Sequence, residues 1–168
     1  VIAGAPVPLV IDADALTALG DAGAARALLD TRSAPSILTP HDGEYARLAG
    51  SPPGPDRFEA ARRLAAATGA VVLLKGPLTA VAAPDAGAGA PDVLLAGAGV
   101  PSLATAGSGD VLSGIIAAFC ARGVPAHAAA ALGAHVHGRA ASLGPSQGLV
   151  AGDLPGLVSR FLTELDGD

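Results

Sequence analysis

The run Thr105-Ala106-Gly107-Ser108-Gly109-Asp110 places two glycines around a serine, adds a carboxylate, and leads directly into the apolar stretch Val111 to Phe119. Glycine lets a backbone turn tightly and approach a ligand closely. A helix that starts there presents unpaired N–H groups and the positive end of its dipole. That combination binds anions, phosphate above all. Asp110 has two open readings: it caps the helix, or it reaches a substrate hydroxyl.

Other chemistry-capable side chains stand next to strand-like segments. Lys75 is the only lysine among 10 basic residues and closes the apolar run Ala70 to Leu74. Its retention suits a role that needs a compact point charge, with chance usage as the alternative. His41 follows the short segment Ser36 to Pro40; alone it is as consistent with a solvated side chain as with function. Asp12 closes Val7 to Ile11 and its role stays open, whereas Asp14 is expected to cap the next helix. His135 and His137 stand two apart on a helical stretch and point to different sides. Helical zinc pairs use spacing four, so no metal site is expected.

The elements that must hold these residues alternate between strand and helix. Strands are predicted over Val7–Asp12, Ser36–Pro40, Ala70–Lys75, Ala80–Ala83 and Asp92–Ala96. Helices are predicted over Ala15–Leu29, around Tyr45–Leu48, from Asp56 to Gly69, and from the Gly-rich loop to about Arg122. Two more run from Pro125 to about Leu143 and, capped by Asp153, through Leu165. Turns are expected at Gly76–Thr79 and Pro84–Gly87. The run after Asp110 is apolar nearly all round, which predicts a central helix. Ala70–Lys75 is apolar throughout, as in parallel sheets buried on both faces. The last two strands resemble a small antiparallel edge. The result is a layered α/β sheet with loops near Asp12, His41, Lys75 and Thr105 at strand ends, where such sheets bind ligands.

Composition fits one domain over residues 1–168. Hydrophobic residues make up 51% and charged residues 15%, enough to build a core, while aromatics at 2% leave that core to Ala, Val, Leu and Ile. A net charge of -5 argues against nucleic-acid binding. The apolar run Val111–Ala121 is broken by Ser113 and Gly114 and falls short of the roughly 20 residues a membrane span needs. The first residues lack a basic segment, so no signal peptide is expected. Cys120 has no partner for an internal disulfide, which points to a reducing, cytoplasmic compartment and an inert thiol.

Four segments in order carry a family resemblance: Val10–Leu16, Ile37–Glu44, Leu74–Thr79 and Leu103–Val111. They resemble the ADP/ATP-dependent NAD(P)H-hydrate dehydratases of the ribokinase-like superfamily, and Leu132–Gly138 fits the helix after the family's Gly-rich loop. Asp42 and Ala106 depart from the usual pattern, where proline and glycine are common. The resemblance implies a ribokinase-like layered fold with a mostly parallel central sheet. It covers the C-terminal portion of the family domain, so N-terminal strands and a Gly-rich substrate loop are expected to be missing.

The implied activity is metabolite repair. ADP or ATP phosphorylates the ring hydroxyl of hydrated NADH or NADPH, and loss of phosphate restores the coenzyme. Asp110 would be catalytic, accepting the hydroxyl proton and contacting substrate together with His41. Lys75, Gly76, Pro77, Leu78 and Thr79 would line the nucleotide site with Gly109, and Ala106, Gly107, Ser108 and Gly109 would form the anion hole. Mg2+ is expected with the nucleotide, without a protein ligand cluster. Partners would be the small-molecule substrate, a second copy in a homo-oligomer, and an epimerase domain or upstream segment of a full-length protein; nucleic acid and membrane are excluded. Two rival readings are a ribokinase-like kinase for small alcohols or vitamin precursors and an inactive nucleotide-binding remnant. A persistent phosphorylated product would mark the first, binding without turnover the second.

Overall fold

A computed structural model describes residues 2–85 and 93–167. Its sheet contains β1 (Leu9–Ile11), β2 (Ser36–Leu38), β3 (Val71–Leu74), β4 (Thr79–Ala82) and β5 (Val93–Ala96), in that spatial order. β1 pairs with β2 and β2 with β3 in parallel; β4 joins β3 and β5 joins β4 antiparallel. Only β4 therefore runs against the others, and the sheet is mostly parallel. Asp92 and the end of the turn expected at Pro84–Gly87 lie outside the described residues.

Alternation along the central strands explains the layers. Leu38, Val72, Leu74, Ala80 and Ala82 pack on one face against the helices α1 (Asp14–Ala18), α2 (Ala22–Leu29), α3 (Asp42–Ala49) and α4 (Arg57–Thr68). Ile37, Val71, Leu73 and Val81 face the other way, toward α5 (Ser108–Ala121) and α6 (Ala126–Ala141). Successive strand residues point to opposite faces, so a run such as Val71–Leu74 must be apolar throughout to satisfy both layers. A last helix, α7 (Leu154–Asp166), lies on α6 through Phe161, Leu157 and Val158. Between α3 and α4 the Tyr45 ring is 2% exposed, and its hydroxyl donates to the Ala60 carbonyl at 3.2 Å. No helix among the described residues is long and apolar enough to cross a membrane.

Several local expectations change. The helix read over Ala15–Leu29 is two, because Gly20 takes φ +80° and Asp21 caps α2 by accepting from the Ala24 N–H. Asp14 is not a cap: Ala13 holds that position at φ +50°, and its N–H is bound by Asp12 Oδ1 at 2.9 Å. Asp153 directs its carboxylate backward to the Val150 N–H rather than into α7. α5 is not central. Only Leu112 and Ile116 are buried on it, while Gly114, Ala117, Ala118 and Ala121 are exposed, because it meets the described chain along one face only. α6 is the more enclosed helix, buried at nine positions including Gly133, Val136, His137 and Ala140.

Candidate active site

The C-terminal ends of β1, β2 and β3 bring Asp12, His41 and Lys75 to one rim. Lys75 Nζ donates to Asp12 Oδ1 at 2.8 Å and lies 3.7 Å from Glu44 Oε2. One ammonium thus serves two carboxylates that are both largely shielded from solvent. The Lys75 backbone is fixed as well: its N–H donates to the Pro40 carbonyl at 2.8 Å, and its carbonyl accepts from Arg57 at 2.6 Å. Arg57 also reaches Asp42 Oδ1 at 2.8 Å, tying the end of β3 to the start of α3.

His41 is the N-cap of α3. Its Nδ1 accepts from the Gly43 and Glu44 N–H groups at 3.0 and 3.2 Å, and Glu44 Oε2 in return accepts from the His41 N–H at 2.8 Å. This is a capping box with histidine in the role usually held by serine or threonine. With Nδ1 occupied as an acceptor, the neutral ring carries its proton on Nε2. The side chain is 60% exposed, and Nε2 lies 3.6 Å from Glu44 Oε2.

The Gly-rich loop enters α5 at Ser108, three residues before the apolar run that begins at Val111. Gly107 is the N-cap at φ +83°, a conformation that suits glycine. Ser108, Gly109 and Asp110 form the first turn. Ser108 N–H turns back to the Thr105 carbonyl and Asp110 N–H to that of Gly107, while Ser108 Oγ donates to the Leu103 carbonyl. The N–H groups of Ala106, Gly107 and Gly109 have no hydrogen-bond partner among the described residues. A Cβ on Gly109 would stand 3.2 Å from Asp12 Oδ2 and 3.7 Å from Lys75 Nζ, so this helix start rests on the ion pair. Ser113, one turn on, lies 3.5 Å from Asp12 Oδ2.

These parts enclose a cavity of about 650 Å³ whose lining includes His41, Lys75, Gly76, Pro77, Thr79, Ser108 and Gly109. That volume lies within the range of small-molecule sites. Thr79 Oγ1 donates to the Gly76 carbonyl at 3.3 Å, closing the turn after β3. Leu78 is not part of the lining; its exposed side chain faces a separate hollow beside Pro55, Arg57 and Phe58. Ala106 and Gly107 lie outside the lining, as does Asp110, which is exposed one residue beyond it. Among the described residues no group of three His, Cys, Asp or Glu side chains could hold a metal ion.

The structure gives surroundings to three residues that the sequence left without a role. Asp12 is the anchor for Lys75, joining positions 63 apart in sequence. Glu44 completes both the capping box and the lysine's surroundings. His137, 7% exposed, lines the cavity from α6, and burial depresses its pKa to about 4, offset weakly by the Ser108 backbone. The sequence signal for His137 was its place one turn after Gly133 and beside Gly138, small residues that keep that stripe of α6 closely packed.

Comparison with known proteins bears on the whole chain. A family model described as NAD(P)H-hydrate dehydratase matches residues 2–164. The bifunctional NAD(P)H-hydrate repair enzyme Nnr of Mycobacterium leprae is 50% identical over 159 residues, covering 95% of this chain and 32% of that protein. The crystal structure of ADP/ATP-dependent NAD(P)H-hydrate dehydratase from Bacillus subtilis, co-crystallised with ATP/Mg2+, superposes with a TM-score of 0.82 at 30% identity. It covers 97% of this chain and 57% of that one. A ribokinase-like superfamily protein of Enterococcus faecalis shares the fold at a TM-score of 0.64 and 25% identity, over 91% of this chain and 52% of that one. The chain thus spans about a third of the Mycobacterium leprae relative and somewhat more than half of these solved structures.

Proposed function

This chain belongs to the NAD(P)H-hydrate dehydratase family, and from that premise we propose that it carries out the nucleotide-dependent dehydration of hydrated NADH and NADPH. The observation that carries the reading is the convergence of His41, Lys75, Thr79 and the start of α5 on one cavity. The resemblance had grouped these same residues around substrate and nucleotide.

ADP or ATP would lie with its phosphates toward Lys75 and the free N–H groups of Ala106, Gly107 and Gly109. The turn Gly76–Thr79 would follow the rest of the nucleotide, with Leu78 contributing backbone only. His41 would donate from Nε2 to the hydrated nicotinamide nucleotide. Asp110, exposed at the first turn of α5, would take the proton of the ring hydroxyl as that oxygen bonds to phosphorus and the donor's phosphoanhydride bond breaks. Phosphate then leaves with the electrons of the C–O bond, and loss of a ring proton restores the reduced nicotinamide. Phosphoryl transfer draws mainly on positioning and charge stabilisation, which the fixed helix start supplies.

Among the described residues Lys75 is the one lysine or arginine in the cavity lining, and its ammonium is already shared by Asp12 and Glu44 beside it. Triphosphate or diphosphate entering there needs further compensation. Mg2+ would supply it, held mainly by the phosphates and retained waters, as this small cation commonly is. The reading extends to a full-length cytoplasmic protein that carries an epimerase domain; the bifunctional name of the Mycobacterium leprae relative supports the presence of a second activity.

The test follows recovery of reduced-nicotinamide absorbance from NADH hydrate with ADP or ATP, using the wild-type chain and Asp110→Asn. Turnover that falls about 10²–10⁴-fold in the variant, with nucleotide affinity within a few-fold, supports the assignment. A variant that keeps more than about a tenth of the activity removes Asp110 as base. Accumulation of a stable phosphorylated product instead indicates a kinase.

A further inference from the structure

Arg57 takes no part in the chemistry just described, and it is absent from the lining of the cavity. It nevertheless holds the turn that would follow the nucleotide. From the first residue of α4 its guanidinium forks: Nη2 donates to the Lys75 carbonyl at 2.6 Å, and Nη1 to Asp42 Oδ1 at 2.8 Å in the first turn of α3. The same group lies against Gly76, where a Cβ would stand 2.6 Å from Nη2 and 2.9 Å from Cζ. Glycine leaves that room, and it is also the residue with the most backbone freedom to lose. The turn's own hydrogen bond, from Thr79 Oγ1 to the Gly76 carbonyl, is long at 3.3 Å. The Arg57 Nε is buried without a partner among the described residues. An unpaired buried donor costs stability, so this guanidinium is placed by the two partners it holds and not by the fit of its surroundings.

We propose that Arg57 is a positioning residue for the nucleotide site: it fixes the Lys75–Gly76 turn from behind and ties it, through Asp42, to the helix that His41 caps. The inference rests on the nucleotide reading above. The Lys75 backbone is held on both sides, its N–H by the Pro40 carbonyl and its carbonyl by Arg57. With the second bond gone, Gly76 is free to turn, and a nucleotide must order this backbone at the moment of binding. The planar fork suits the task, since it meets two acceptors in fixed directions, which an ammonium does not. The Asp42 carboxylate is 61% exposed, and an ion pair so open to water contributes little by itself. The bond to the Lys75 carbonyl, from an arginine 19% exposed, carries the larger share.

Calorimetry measures binding of ADP and of NADH hydrate, each alone, to wild type, Arg57→Ala, Arg57→Lys and Asp42→Pro. Amide hydrogen exchange over Lys75–Thr79 is followed in the ligand-free proteins. In Arg57→Ala, ADP affinity should fall about tenfold, the cost of reordering roughly one backbone residue. Affinity for NADH hydrate should hold, and exchange should quicken at the turn but not in α6. Arg57→Lys keeps the charge without the fork, and it should leave most of the loss in place. Full recovery in Arg57→Lys marks a charge acting on the phosphates and overturns the positioning role. Unchanged ADP affinity or unchanged exchange at the turn in Arg57→Ala overturns it too, as does an equal loss for both ligands, which marks general destabilisation. Asp42→Pro removes the ion pair and spares the helix start, because proline suits the first helical position and His41 before it is already extended at φ -82°, ψ 175°. This variant should cost about twofold in ADP affinity and quicken exchange at the turn to a lesser degree. If Arg57→Ala fails to fold, Asp42→Pro decides, and unchanged exchange at the turn overturns the inference. Wild type that binds no ADP overturns the functional reading; the exchange comparison then decides whether Arg57 fixes the turn, and equal rates in wild type and Arg57→Ala overturn that as well.

Discussion

Acidification between pH 7 and pH 5 should destabilise this protein through His137, and the amount follows from its burial. The ring is held neutral in the fold with a pKa of about 4, whereas an exposed histidine titrates near 6.5. The folded-state pKa lies below the unfolded one, so the unfolded chain binds the extra proton first. Stability is then complete above about pH 6.5 and is lost as the pH falls toward 4. At about 1.36 kcal/mol per pH unit, the loss between pH 7 and pH 5 is about 2 kcal/mol. Nothing beyond the Ser108 backbone opposes the burial effect, so no nearby carboxylate rescues the charged ring. Urea unfolding of wild type and His137→Gln, followed by circular dichroism at both pH values, isolates the contribution. His41, His127 and His135 are common to both proteins and cancel in the difference. The gap in unfolding free energy should change by about 2 kcal/mol in favour of the variant at pH 5. A gap that is the same at both pH values would falsify the linkage and place His137 in contact with water.

Other perturbations address separate parts of the molecule. Lys75→Ala should weaken ADP or ATP binding in calorimetry, and because it leaves Asp12 and Glu44 facing each other without a cation it should also cost about 1–3 kcal/mol of stability; His41→Ala should chiefly weaken binding of the hydrated nicotinamide nucleotide, and the reverse pattern would exchange the two assignments. Gly133→Ala introduces a Cβ 2.5 Å from Ile116 Cγ1 at the α5–α6 contact. Overpacking of about 1–3 kcal/mol outweighs the gain of about 1 kcal/mol in helix propensity, so its melting temperature should fall, and an unchanged value would mean that α5 yields freely.

Much of the fold was legible because the strands are short and apolar with clear stops. Pro40, Gly76 and the Gly107-containing loop sit at turns, and Gly69 and Gly123 end helices at positive φ. The ends of β1, β2 and β3 could be placed on one rim from this alternation alone. What escaped depended on contacts distant in sequence or on unusual partners. Nothing local to Asp12 shows that Lys75 will bind it. His41 was hard to read as a helix cap because histidine is not among the usual capping residues. α5 looked central since its composition is apolar all round, but hydrophobicity states what a helix can bury, not how many neighbours it meets. His137 was set aside because its spacing from His135 suits no metal, and its burial comes from the loop and helix opposite rather than from α6 itself.

The single tyrosine gives the chain an optical property. Tryptophan is absent and Tyr45 is the one tyrosine, so near-ultraviolet emission comes from one ring, 2% exposed and bonded to Ala60 between α3 and α4. That ring belongs to the helix whose first turn His41 caps. A ligand bound to His41 would act on the first turn of α3 and, through it, on the setting of this fluorophore. The molecule is otherwise nearly silent in that spectral region, so a bound adenine or reduced nicotinamide would be read against a dark background. Concentrations taken from aromatic absorbance would, for the same reason, need an independent standard.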